Sequence, residues 1–285
     1  MIYKKRKRHR KLDEFIFLIG FFIVTVTVIV YSNKHLNLET SERFDKSIES
    51  NYTNTIENKN KTNNKSLSNQ QSSKSTIKNI RMDKSDKYIN SVLNVPNVVN
   101  ENKELEKIIN DKINADINSF FEKNYKEAKD NYINNNIDGV KFEANTDYKV
   151  VKNTKDVLSI IIRYYNYSGG AHGYYEDIAY NIDIKSGKFL RLSDLFLEQS
   201  NYKEIINKEI ESQIKSLEME NVENKGIYQF KSISDNQKYY FSGNDIVIYF
   251  DLYDIAPYAA GIPEFVIDGD LVIPIIKKEY INLFE

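Results

Sequence analysis

The chain's patterning predicts an α+β fold of mostly antiparallel sheet with two long amphipathic helices, preceded by one transmembrane helix and a disordered linker. Three observations carry this. Two segments keep apolar residues at helical spacing over several turns, near residues 101–132 and 202–217. Between and after them lie short runs rich in Ile, Val, Tyr and Phe, separated by Gly, Pro and Asn turns. The order is strand, helix, several strands, helix, several strands, which is not the strict alternation of a doubly wound parallel sheet.

Residues 4–11 read Lys-Lys-Arg-Lys-Arg-His-Arg-Lys, and an uncharged apolar run follows from Phe15 to Tyr31. As a helix that run would be about 25 Å long, at the short end of what spans a bilayer. Basic flanks stay cytoplasmic, so residues 1–14 are expected inside and everything beyond Tyr31 outside the membrane. The exit, Tyr31-Ser32-Asn33-Lys34, lacks the small-x-small pair of a cleavage site, which favours an uncleaved signal anchor over a cleaved leader. Residues 32–85 are Asn, Ser, Lys, Thr and Glu with isolated apolar residues. Such a segment cannot offset its ordering entropy and is expected to be a disordered tether, averaging roughly 40 Å end to end.

The expected order begins near Tyr88, with a strand over 88–96 ending at Pro96. Asn100 offers an N-cap and Glu101 an acidic first turn. Leu105, Ile109, Ile113, Ile117, Phe120, Phe121 and Tyr125 then line one face of a helix to about Tyr132. Strands follow at 142–151 and 157–165, and Ile178, Tyr180, Ile182 and Ile184 alternate with polar neighbours. Lys185-Ser186-Gly187-Lys188 turns the chain into 189–192, and Ser193 can cap a short helical turn through Phe196. Ile206, Ile210, Ile214 and Leu217 define the second helix. Strands are expected at 238–241, 246–250 and 265–267, with 271–276 offering one more. The domain boundaries this implies are 86–180 and 181–285.

Composition excludes several functions. The chain has no Cys, so disulfides, Cys-ligated metals and a lipidated Cys anchor are ruled out. Residues 1–14 carry a net charge of +5 and the whole chain −1, leaving −6 for residues 15–285. A mildly acidic ectodomain argues against nucleic acid as a partner. The basic tail suits anionic lipid headgroups instead.

Two loops stand out as candidate binding elements. The first is Tyr165-Asn166-Tyr167-Ser168-Gly169-Gly170-Ala171-His172-Gly173, followed by Tyr174 and Tyr175. The second is Ile255-Ala256-Pro257-Tyr258-Ala259-Ala260-Gly261, preceded by Tyr253. Tyr165, Tyr167, His172, Tyr174, Tyr175, Tyr253 and Tyr258 are the candidate ligand-binding residues, because loop-borne tyrosines make good interface anchors and can stack on sugar rings. Many of the 21 Tyr equally suit a β core. Gly169, Gly170, Gly187, Pro257 and Gly261 are read as turn residues. His172 is the one His in the segment expected to fold, too few for a catalytic zinc, and a structural hydrogen-bonding role suits it better. Ser168 and His172, four residues apart in a loop, show no means of activating the Ser. Asp183, Asp194, Asp251 and Asp254 could pair as acid and base, but strand ends and caps account for such carboxylates more often. No cofactor, metal or catalytic residue is assigned, and the chain is expected not to be an enzyme.

The first loop, the stretches Asp183–Lys188 and Leu192–Phe196, and Phe250–Gly261 together resemble the RsiV/PdaC-like extracytoplasmic family, over roughly residues 88–280. That family joins a PdaC-type N-terminal domain to an RsiV-type C-terminal domain, and includes a lysozyme-sensing anti-sigma factor and the non-catalytic region of peptidoglycan deacetylases. The resemblance implies an α+β fold, an extracytoplasmic location, and a cell-wall glycan or lysozyme-like protein as partner. The fourteen residues before the apolar run are too few to hold a sigma factor, which argues against direct sigma-factor binding. The competing reading is an envelope hydrolase, or an accessory subunit of a peptidoglycan-modifying enzyme.

Overall fold

A computed structural model describes residues 74–135, 141–220 and 225–285. The basic tail and the apolar run at 15–31 lie outside these residues. No helix among the described residues is long and apolar enough to cross a membrane.

The described residues form an α+β structure with mostly antiparallel sheets. The larger sheet is built from β1 (Thr76–Asp83), β2 (Ile89–Asn90), β3 (Val92–Val99), β4 (Phe142–Asn153), β5 (Val157–Tyr167) and β6 (Tyr174–Asp183), in the order β1-β3-β4-β5-β6, with β2 paired to β4. Only the β2–β4 and β3–β4 pairings are parallel, and the second is a single pair, Leu93 with Thr146. Pro96 lies beyond that pair, so its missing N–H removes nothing from the β4 side. Alternation sets which face is buried: Leu158, Ile160, Ile162 and Tyr164 of β5 point into one core. Helix α1 (Lys103–Asn135) covers that face with Leu105, Ile109, Ile113, Ile117 and Phe121. The smaller sheet is β7 (Tyr239–Ser242), β8 (Asp245–Tyr249) and β9 (Glu264–Ile267), antiparallel in that order. Helix α2 (Tyr202–Glu220) packs Ile206 and Ile210 into a second core with Phe241, Ile246, Ile248 and Phe265.

Four expectations are corrected. Strand β1 occupies the end of the stretch read as linker. Its apolar residues Ile77, Ile80 and Met82 do not alternate regularly and most of its positions are exposed, so no period-two pattern announces it, and it is held by an unbroken antiparallel register with β3. The Ser75 hydroxyl and carbonyl also accept from Asn100 Nδ2 (2.9 Å) and Asn153 Nδ2 (2.8 Å). The cap of α1 is Asn102 rather than Asn100, since its side chain accepts from the N–H groups of Glu104 and Leu105, both at 3.1 Å. The turn at Leu192–Leu195 is closed by Asp194, whose carboxylate accepts from the Arg191 N–H at 2.9 Å, and not by Ser193. Residues 271–276 are not a strand. Asp268 caps α3 (Gly269–Val272), and the chain continues into a 3-10 turn at Ile273–Ile275.

The two cores are bolted together by polar groups. Lys152 of β4, buried, donates to the carbonyls of Gly243 (2.6 Å) and Leu283 (2.7 Å). Asn181 accepts from the Ser159 hydroxyl and donates to the Tyr239 carbonyl (2.6 and 2.7 Å). The Tyr249 hydroxyl accepts from Ala179 N–H and donates to Asp177 O, at 3.0 and 3.1 Å. These last contacts hold β6, and the loop that precedes it, against the second sheet.

Candidate functional site: two aromatic loops meet

Strands β5 and β6 are a hairpin whose tip is the Gly-rich loop. Register opposes Tyr165 to Tyr175 and Arg163 to Asp177. Arg163 holds Asp177 through two 2.7 Å hydrogen bonds while its guanidinium lies 4.5 Å from the Tyr175 ring centre. Gly169 and Gly170 turn the tip with φ of 90° and 120°, values a side chain would strain. The Tyr167 hydroxyl donates to the Gly170 carbonyl at 3.0 Å, folding the tip back on its own strand.

The second loop leaves β8 at Phe250. Asp254 accepts the Asp251 N–H at 3.0 Å, and Tyr253 between them takes φ 71°, a left-handed conformation costing a non-Gly residue roughly 1–2 kcal/mol. Pro257 (φ −65°) starts a 3-10 turn over Tyr258–Ala260, which Gly261 ends at φ 70°.

The two loops meet through Tyr258. Its ring stacks on His172 with centres 4.2 Å apart and planes at 27°. Tyr253 lies 5.6 Å from it and Tyr175 6.3 Å, edge to face. The Tyr258 hydroxyl donates to Gly173 O at 3.0 Å, and His172 Nδ1 bonds the same oxygen at 2.9 Å. A carbonyl only accepts, so Nδ1 carries the proton there, and a neutral His172 would present Nε2 as an acceptor. His172, Tyr174 and Tyr253 are exposed, and Tyr165, Tyr167, Tyr175 and Tyr258 half-buried.

Beneath the aromatic residues sits a charged cluster that the sequence reading did not assemble. Lys238, just before β7, donates to Glu176 at 2.5 Å and to Asp251 at 2.6 Å, bridging β6 to the root of the second loop. Burial opposes its charge, yet the two carboxylates outweigh burial and hold Lys238 above its ordinary range. Burial is also the main influence on Asp251, whose carboxyl rises to about 6 against the pull of Lys238, with Glu176 adding to the rise. Its Oδ1 is buried without a hydrogen-bond partner among the described residues. Asp254, exposed on its outer side, is raised too, chiefly by partial desolvation. Partial desolvation of its hydroxyl, with Asp251 and Glu176 nearby, lifts the otherwise exposed Tyr174 to about 12.

A pH dependence follows. A carboxyl raised from 3.8 in the folded chain binds its proton more tightly there than when unfolded, so its contribution to stability is full below 3.8 and lost as pH rises through about 6. Asp251→Asn should therefore flatten the dependence of melting temperature on pH between about pH 4 and pH 6. Melting curves across that window check this, and a variant profile parallel to the parent's would refute it.

Of the seven candidate residues, His172, Tyr175, Tyr253 and Tyr258 form one connected cluster, and Tyr165 abuts it beneath Gly173. Tyr167 packs back on the tip of its own loop. Asp183 and Asp194 lie elsewhere: Asp183 accepts from Lys185 N–H and Ser186, and Asp194 caps its turn. No group of three or more His, Asp or Glu among the described residues is placed to hold a metal ion. Sequence reasoning gave no role at the site to Arg163 or Lys238, took Gly173 only as part of the first loop, and set Glu176 with His172 and Asp177 aside as a thin case for a metal site. Lys238 carried no local signal, since its partners are distant in the chain.

Residues 82–175 match the protein-family model described as Deacetylase PdaC, and residues 193–269 match Protein of unknown function (DUF3298). With these two domain types in tandem, the chain is an RsiV/PdaC-like protein. It is 27% identical over 187 residues to the peptidoglycan-N-acetylmuramic acid deacetylase PdaC of Bacillus subtilis (strain 168), an alignment covering 61% of this chain and 38% of that one. It is 29% identical over 187 residues to the anti-sigma-V factor RsiV of the same strain, covering 62% of each. The chain thus spans less than two thirds of the length of either relative. Among solved structures, a DUF3298-family member from Bacteroides fragilis NCTC 9343 superposes with a TM-score of 0.62 at 21% identity, covering 76% of this chain and 99% of that one. A DUF3298-family protein from Pseudomonas aeruginosa PAO1 gives 0.50 at 16%, covering 75% and 97%. These two likenesses bear on the fold alone.

Proposed function

We propose that this is a cell-envelope binding or sensing protein that uses the paired aromatic loops to recognise a lysozyme-like protein. In this reading residues 15–31 anchor it in the membrane, the N-terminus is cytoplasmic and the folded region extracytoplasmic. The observation that carries the proposal is the convergence of His172, Tyr175, Tyr253 and Tyr258 from two loops into one surface. Rigid, amphipathic rings of this kind anchor protein interfaces at low entropic cost. Two further features support it. The −6 charge of residues 15–285 complements a cationic partner and speeds its encounter. The curated relatives are a peptidoglycan deacetylase and an anti-sigma factor, both consistent with envelope biology. A cell-wall glycan is the competing ligand, since the same rings can stack on sugars.

The test is biolayer interferometry of the full-length chain, in detergent micelles, against lysozyme. Saturable binding is expected, and His172→Ala/Tyr258→Ala should weaken it by about tenfold or more, as the loss of a central aromatic anchor does. No binding at micromolar lysozyme rejects that partner. Retention on purified peptidoglycan, lost in the same variant, would then assign the surface to glycan. Turnover of wall fragments would instead favour the hydrolase or enzyme-subunit reading.

A further inference from the structure

We infer that Gly173 is the positioning residue of the two-loop surface, an inference that rests on reading that surface as the binding face. Its carbonyl oxygen is a shared acceptor for both loops. The Tyr258 hydroxyl donates to it at 3.0 Å and His172 Nδ1–H at 2.9 Å. These are the two rings that stack 4.2 Å apart. One backbone oxygen therefore sets how the rings meet, and both would be free to swing without it.

The reason for glycine at this position is space. A methyl group at residue 173 would lie 2.4 Å from the Tyr165 hydroxyl oxygen and 2.5 Å from two carbons of its ring. Gly170 differs: its φ of 120° calls for glycine, but a methyl group there would meet nothing within 4 Å. Tyr165 thus closes one side of Gly173 while the carbonyl gathers Tyr258 and His172 on the other. Tyr165 comes from β5, Gly173 from the entry to β6 and Tyr258 from the second loop. A bare Cα here lets three segments converge, so alanine must displace either the Tyr165 ring or the carbonyl.

The test separates this geometry from ligand identity. In the full-length chain in detergent micelles, the ring current of Tyr258 should shift the His172 C2–H proton resonance upfield. Tyr258→Ala removes that shift and so identifies the resonance among the three His of the chain. Gly173→Ala is expected to remove most of it, and to weaken lysozyme binding by about tenfold through loss of preorganisation. Tyr258→Phe, which keeps the ring and loses the hydroxyl, should give an intermediate shift. Tyr165→Ala/Gly173→Ala, in which the methyl group has room, should recover most of the parent's. An unchanged His172 resonance in Gly173→Ala overturns the inference whether or not lysozyme binds. If Gly173→Ala fails to melt cooperatively, Tyr258→Phe decides, and an unmoved resonance there overturns it equally. If the resonances behave as expected while the parent chain ignores lysozyme, the lysozyme reading falls and the positioning role stands.

Discussion

Replacing Lys238 by Met should lower the stability of the folded region by about 2 kcal/mol, between the cost for a buried and an exposed pair, or roughly 4–8 °C in melting temperature. Lys238 is the shared cation of Glu176 and Asp251, at 2.5 and 2.6 Å. Removing it leaves two carboxylates converging on one half-buried site with nothing between them, and Asp251 is already held in its neutral direction by burial. Breaking such an arrangement costs more than the ion pairs contribute, because the remaining charges keep their desolvation penalty. Methionine retains the length of the aliphatic stem, so lost packing is a minor part of the effect. The deficit should shrink as pH falls, because protonating either carboxyl relieves the repulsion. Chemical denaturation of parent and variant at acid and neutral pH would measure it. A loss under about 0.5 kcal/mol, the range of an ordinary surface substitution, would mean the cluster is effectively solvated.

Ile113→Ala carries the second large effect, about 3–4 kcal/mol, because Ile113 is fully buried at the centre of the core beneath α1. More informative is where the loss should be felt. The second core lies on the far side of β5 and β6, yet Lys152, Asn181 and Tyr249 cross between the halves. Val157 of β5 belongs to the second core outright. If these links make one cooperative unit, amides of β8 should lose protection from hydrogen exchange by the same free energy as amides of β5. Unaltered protection in β8 would show that the PdaC-type and DUF3298-type halves unfold separately.

What the sequence disclosed, and what it hid, divides by range. The Leu105–Tyr125 spacing marks a helix because a buried helical face must repeat every three to four residues, and the structure runs it only three residues past Tyr132. Strands β4 to β9 likewise match β-branched and aromatic runs to within a few residues, apart from β6, which starts four residues earlier than Ile178. Strand β1 escaped because an edge strand exposed on most positions needs no apolar alternation; its support is the ladder to β3 and two side-chain amides on Ser75. The segment 271–276 misled for the opposite reason, since Leu, Val and Ile there pack a helical turn set by the Asp268 cap. At the site, both loops were visible as aromatic and Gly/Pro clusters. Their meeting was not, because it depends on the Tyr258–Gly173 hydrogen bond and the Lys238 bridge, which join residues far apart in the chain.

Strand β1 has a mechanical consequence. Tension reaching the fold along the chain from its N-terminal side enters at Ser75 and Thr76, where the strand is sutured to Asn100 and Asn153 by their side-chain amides. Load would fall on those two bonds first. Once they part, β1 is held by its ladder to β3 on one side only, so it is the first strand of the sheet to be loaded. The rest of the sheet, and both aromatic loops with it, would stay assembled while β1 paid out eight residues of slack.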